Sequence, residues 1–439
     1  MSSRSTPARH TLVAAVAAGA CAATMAGAAL SAAPTANATC LSVFGIGNGG
    51  GCTSSLFGAA LAIGDGATAN ASGLFGAALA FGTNATATTG DAFTFATAVG
   101  EEAGATAAGL FGIATQLGSN GTAVTQGSGT LGNLGLNIAF NLAPASGGDS
   151  VVAGGIGNLA ANLFGRASTP GSHTVSSLGT LDVALNLGGR DNTVRSGAGL
   201  FNRSFSFFGS NNTVLGEGGL SNVARNFFGD GNTVTTVGGD ANSATNVFGS
   251  GNGVGVSAGA GNIATSVAGD SNTVGVSGGT LDFARNWFGT QNNVTTTGGL
   301  QNRVTSIFGD NNVLTSEGAN SNFARNIIGS NNTLTAGSVG SNNNSARTFV
   351  SSGNTVTADG NVTAGFAALG ANNTVEAGPG PFALAGSIFQ TGQTVTKVNT
   401  GIAINNIRIG GAAAVPTSSV RPAASKAGKS RPAVRGRAD

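Results

Sequence analysis

From position 192 to position 342 the chain keeps a ten-residue frame in which polar, small and branched residues return to fixed places. Asn stands at the frame position in Asn192, Asn202, Asn212, Asn222, Asn232, Asn242, Asn252, Asn262, Asn272, Asn292, Asn302, Asn312, Asn322, Asn332 and Asn342, and Asp282 is the single substitute. Gly lies three residues earlier in nearly every frame, as in Gly209, Gly229, Gly249, Gly269, Gly289 and Gly309, with Ala319 and Val339 as exceptions. Successive frames alternate between two types, so the repeat is twenty residues with a longer and a shorter half. The longer half places a small residue two after its Asn (Ala224, Ala244, Ala264, Ala284, Ala324) and Phe at 208, 228, 248, 288 and 308. The shorter half carries Val194, Val214, Val234, Val254, Val274, Val294, Leu314 and Leu334 at the matching place.

β-Branched, Thr and aromatic residues between Gly-Asn and Gly-Asp turn signals predict short strands. Helical solenoids need longer repeats, generally above about thirty residues. The pattern therefore predicts an all-β fold, an elongated parallel β-solenoid with coils of about twenty residues, in which like side chains stack about 4.8 Å apart. The Asn columns are expected to form ladders, each amide donating to one neighbouring coil and accepting from the other. Gly supplies the positive φ of tight corners. An ionised Asp282 accepts without donating, which marks a weak point or a place where the ladder meets water. The Phe residues are expected to stack inside the repeats.

The repeat extends outward less regularly. Residues 158–165 and 137–141 match the longer half, and Leu56-Phe57-Gly58-Ala59-Ala60-Leu61-Ala62 recurs at 74–80, so the coils are expected to begin near residue 54. Residues 370–375 restore the shorter half, Gln393-Thr394-Val395 follows twenty residues later, and 401–409 reads as a terminal strand covering the open end. The chain thus divides into a leader at 1–38, a cap at 39–53, irregular coils at 54–180, regular coils at 181–345, degenerate coils with a second cap at 346–411, and a tail at 412–439.

Composition sharpens this picture. With 75 glycines, no tyrosine and 8% charged residues in 439, the chain is far from the usual enzyme-like mix of about 25% charged. With 41% hydrophobic residues and a net charge of +2, it is equally far from a disordered chain. Arg4 and Arg9, an Ala-rich apolar run from Leu12 to Leu30, and Ala36-Asn37-Ala38 follow the order of a secretory signal peptide cleaved after Ala38. The run is weakly hydrophobic for a membrane anchor and no second span follows, so no transmembrane span is expected in the mature chain. Cleavage removes Cys21 and leaves Cys40 and Cys52, an even pair expected to form a disulfide in an oxidising compartment and to cap the first coil. So short a loop stabilises by about 3 kcal/mol on the chain-entropy estimate. The tail carries Arg421, Lys426, Lys429, Arg431, Arg435 and Arg437 among Pro, Ala and Ser, and reads either as a solubility tail or as a tether to an anionic cell wall.

The order Gly-x-x-Asn-x-Ala followed by Gly-x-x-Asn-x-Val in twin-strand units resembles the curlin repeats of bacterial surface fibres, with Phe and Thr columns in place of regular Gln. Residues Ala62-Ile63-Gly64-Asp65-Gly66-Ala67-Thr68-Ala69 are similar to the head repeats of trimeric autotransporter adhesins. Both resemblances imply a Gly/Asn-rich surface solenoid over roughly residues 54–400, and neither names a partner.

Candidate chemistry is sparse. His173 stands where the next coil has Asn192, which makes it a substitute ladder residue. Asp230, Asp240, Asp270 and Asp310 invite a calcium reading, but the turns offer one Asp or none where such sites draw several oxygen ligands. Arg225, Arg285 and Arg325 share a column that would face an acidic sugar in a solenoid enzyme, yet that column also holds Thr245, Thr265 and Thr305, and Glu217 and Glu317 stand five coils apart. Thr213, Thr233, Thr273 and Thr333, with Thr235, Thr295, Thr315 and Thr335 two residues on, raise ice binding, interrupted by Gly253, Gly255, Gly275, Leu215 and Val313. No metal, cofactor or nucleic acid is expected. The reading is a non-enzymatic bacterial protein, secreted or held at the cell wall or surface, presenting a solenoid face for adhesion or self-association. Its expected partners are itself or cell-envelope and host-surface polymers. The alternative is a carbohydrate-active solenoid enzyme, or an ice- or calcium-binding solenoid.

Overall fold

The computed structural model describes residues 39–410 apart from 49, 128–134 and 144–146. The leader at 1–38 and the tail at 412–439 lie outside the described residues. Within them all regular structure is strand, wound into a parallel β-solenoid of about 17 coils. Each coil gives one strand to each of two facing sheets. Sheet A stacks the longer halves, from Ala59–Ile63 to Gly401–Ile404, and sheet B the shorter halves, from Cys52–Ser54 to Thr394–Lys397.

The two-residue alternation of a strand decides which side chains fill the space between the sheets. In Val223–Asn226 of sheet A, Ala224 and Asn226 are buried; in Thr233–Val237 of sheet B, Val234 and Thr236 are buried. Stacking repeats this in register, Ala224 beside Ala244 and Val234 beside Val254. The core is therefore one side chain thick on each side, Ala facing Val, and continuous along the axis.

Coil length departs from twenty where the core residues change. Ala59 pairs with Ala77 and Ala77 with Phe95, a repeat of 18. Here Ala69, Ala87 and Ala105 take the place that Val holds later, so narrower coils enclose smaller side chains. Between Phe323 and Ser345 the repeat widens to 22, because two extra residues enter the corner near Gly337. That insertion overturns one sequence expectation. Asn342 keeps the ten-residue count but sits at the corner, half-buried, and Asn344 takes the ladder place.

Both ends are closed by antiparallel strands. Thr39–Val43 lies antiparallel on Ala59–Ile63, and the Cys40–Cys52 disulfide ties it to the first strand of sheet B across the interior. At the far end, the expected single strand is a hairpin. Gly401–Ile404 continues sheet A, and Ile407–Ile409 folds back on it with Ile402 opposite Ile409.

Candidate interaction faces

The ladder residues are structural. The fourteen frame asparagines from Asn192 to Asn332 are buried, and each Oδ1 of the inner members accepts the backbone N–H of the residue one coil on, as Asn212 Oδ1 does from Asn232 at 2.9 Å. The Nδ2 group donates to glycine carbonyls, as Asn212 does to Gly229 at 2.9 Å. Most of these bonds run from side chain to backbone, satisfying corner groups outside the strand ladders, and amide-to-amide bonds add to them, as from Asn312 Nδ2 to Asn292 Oδ1 at 3.0 Å and from Asn252 Nδ2 to Asn246 Oδ1 at 3.1 Å. The same contact explains the spacing of Gly and Asn. A Cβ on Gly229, where φ is +112°, would lie 2.0 Å from the Gly249 carbonyl oxygen and 3.1 Å from the Asn232 Nδ2.

A third buried column went unread in the sequence: Asn141, Asn162, Asn186, Asn226, Asn246, Asn286 and Asn326, four residues after a ladder position. Asn162 donates to Asn141, Asn186 to Asn162 and Asn246 to Asn226, which is the amide-to-amide arrangement. Parity was the available signal, since a strand whose ladder Asn and following Ala face inward must also turn its next-but-one residue inward.

His173 occupies a ladder place with both ring nitrogens engaged. Nδ1 accepts the Asn192 backbone N–H at 3.1 Å, so the proton sits on Nε2, which donates to Asn162 Oδ1 at 3.1 Å. Burial lowers its pKa to about 4, against a raising influence from Asp191, and the ring is neutral at ordinary pH. Asp182 and Asp282 stand in the other ladder column. Each accepts from the next Asn backbone through Oδ1, while Oδ2 has no hydrogen-bond partner. Burial raises both pKa values to about 6, opposed by the backbone bonds from Asn202 and Asn302.

The corner aspartates are also engaged with backbone. Asp230, Asp240, Asp270 and Asp310 accept from Ser210, Leu220, Ser250 and Thr290 of the preceding coil at 2.6–2.9 Å. Among the described residues no three His, Cys, Asp or Glu side chains come together. Glu217 and Glu317 lie on sheet B, whereas the arginine column lies on sheet A, so no acid faces it from there.

The phenylalanines are not inside. Phe208, Phe228, Phe248, Phe288 and Phe308 are 41–51% exposed at the corner after each sheet A strand, Phe208, Phe228 and Phe248 stacked at 5.1–5.8 Å between centroids. A second stack, Phe57, Phe75, Phe93 and Phe111, lines the opposite corner. The interior is too thin for a ring beside Ala and Val, so the aromatic columns stack on the outside.

The two outer faces differ in kind. Sheet B presents Thr, interrupted where Gly255 and Gly275 open a shallow depression between Thr235 and Thr295. Sheet A presents hydrocarbon. In its seven strands from Ala59–Ile63 to Val183–Leu187, nineteen of twenty-one outward positions are apolar, Thr97 and Thr115 being the exceptions, and none is charged. From Arg203 onward the same face acquires arginine. Comparison with protein-family models, curated proteins and solved structures gives no match to the chain.

Proposed function

We propose that this chain is a non-enzymatic structural protein, secreted or held at a bacterial surface, that associates with copies of itself through the outward face of sheet A between Ala59 and Leu187. The signal-like leader and the paired cysteines support an oxidising, extracytoplasmic setting. The uncharged apolar face carries the association. Contiguous exposed patches of this size mark interaction surfaces.

Its dimensions suit a partner sheet. Seven strands at about 4.8 Å, and about 24 Å across with the corners, give roughly 800 Å² per partner, the amount a standard interface buries. A second copy has the same strand spacing, so its side-chain ridges match the grooves of the first along the whole face, with the sheets about 10 Å apart. Sedimentation equilibrium of the full chain should show a dimer or larger species at micromolar concentration. Leu185→Lys with Ile138→Lys should give a folded monomer. A wild-type chain that stays monomeric at about 100 μM, far above the Kd such an interface supports, would remove the reading.

A further inference from the structure

Four successive coils of sheet A, well away from the apolar patch, each carry one outward arginine: Arg285, Arg303, Arg325 and Arg347. They occupy two adjacent columns. Arg285, Thr305, Arg325 and Arg347 follow one another in the middle column, and Phe283, Arg303, Phe323 and Ser345 in the column beside it. Arginine and phenylalanine thus lie side by side on the Arg285 and Arg325 strands, with Thr305 and Ser345 completing the two columns. The Arg285 guanidinium lies 5.4 Å from the Phe283 ring centre and that of Arg347 5.0 Å from the Phe323 ring, so ring faces hold two of the four cations in place. Trp287, the only tryptophan of the chain, is exposed directly after the strand Phe283–Asn286 that carries Arg285.

These cations are uncompensated. The outward positions of the sheet A strands from Arg203 to Phe349 include no Asp or Glu, and among the described residues none of the four arginines pairs with a carboxylate. The Arg195–Glu217 ion pair lies on sheet B. Arg325 Nε is buried without a hydrogen-bond partner. Arg285 loses basicity first through burial and then through the neighbouring Arg303.

We propose that this Arg–Phe strip is a binding site for a linear acidic polysaccharide lying along the solenoid axis. Carboxylate or sulfate groups of successive sugars would pair with successive guanidinium forks, and sugar rings would lie against the exposed Trp287 and the half-buried Phe283 and Phe323. The rest of the coil region disfavours a nucleic-acid duplex. Residues 39–410 hold eleven Lys and Arg against sixteen Asp and Glu, so beyond the strip the solenoid repels a bulky polyanion, while a single flexible strand touches the strip alone. The inference does not rest on self-association, which uses the other half of the sheet.

The test uses the full chain in which the six basic tail residues are Gln, so that the tail cannot account for binding, with polygalacturonate as the probe. Binding should be measurable, should fall at least about tenfold as NaCl rises from about 50 to about 200 mM, and should be absent for dextran. Replacing Arg285, Arg303, Arg325 and Arg347 by Gln should weaken it at least about thirtyfold with the melting temperature held, since the sites act together on one polymer. Arg→Lys at the same four positions keeps the charge and should recover only part of the affinity. Arg195→Gln on sheet B should change nothing. Unchanged affinity in the four-Gln variant would overturn the proposal, and so would equal affinity for duplex DNA, which would make the strip an unselective polyanion site.

Discussion

Asp182 and Asp282 differ from their ladder neighbours by an amide, and the consequence is a proton. Where Asn262 donates through Nδ2 to Gly278 and Gly279, the second carboxylate oxygen of Asp282 has nothing to give unless it is protonated. Folded pKa values of about 6 lie above the unfolded value of 3.8, so between these limits the folded chain holds more protons. The favourable contribution of each aspartate is full below about 3.8 and is lost as pH rises through about 6. Asp282→Asn should therefore raise stability at pH 7 by up to about 3 kcal/mol and do little at pH 4. Melting both proteins from pH 4 to 7 checks this; a gain that does not vary with pH would contradict it. His173 works in the opposite direction, its contribution full above 6.5 and lost as pH falls through about 4, but it is common to both proteins and cancels in the difference. Asp282 was visible in the sequence as a break in the ten-residue frame, whereas Asp182 stands before the stretch in which that frame is regular. What was not visible was that Asp282 is buried rather than wet, because burial follows from the closed corner and not from the residue.

Strands were legible from the twenty-residue period, and so were the separate Ala and Val columns of its two halves. Three details were not. The count of ten ran through Asn342 by coincidence, since an insertion of two near Gly337 moves the ladder to Asn344 while another Asn falls on the old number. The recurrence of Phe points to stacking inside the repeats, yet Phe227 and Phe228 follow the inward Asn226, and alternation sends the first out and the second to the corner. Asn226 was overlooked beside the more regular frame. The strand scale also carries the sharpest stability test. Asn262→Leu removes the acceptor for the Asp282 N–H and the donor to Ala258, Gly278 and Gly279. It should cost about 1 to 3 kcal/mol for each buried group left unpaired, whereas Thr265→Ser, on the outward face of the strand Ile263–Ser266 that follows, should cost well under that. Calorimetry of the two variants separates them, and equal melting temperatures would deny the ladder a stabilising role.

At the scale of the whole molecule, about 17 coils at about 4.8 Å imply a rod core roughly 80 Å long. Small-angle scattering of a monomeric variant should show that elongated form with strand-dominated circular dichroism, and a compact particle would not fit. Function was the least legible level, because faces are properties of stacked coils: Arg285 and Arg303 are eighteen residues apart in the chain and adjacent on the surface. The antiparallel strands at the two ends have a further consequence. Neither cap touches the regular coils between Thr213 and Asn326, and each of those coils meets only others like itself. A gene that gained or lost sixty nucleotides in that stretch would encode a chain with one whole coil more or fewer, with both caps and every interior contact type intact. Length is thus a trait that unequal recombination can change in whole steps, and related genomes should hold versions of this rod differing by multiples of one repeat.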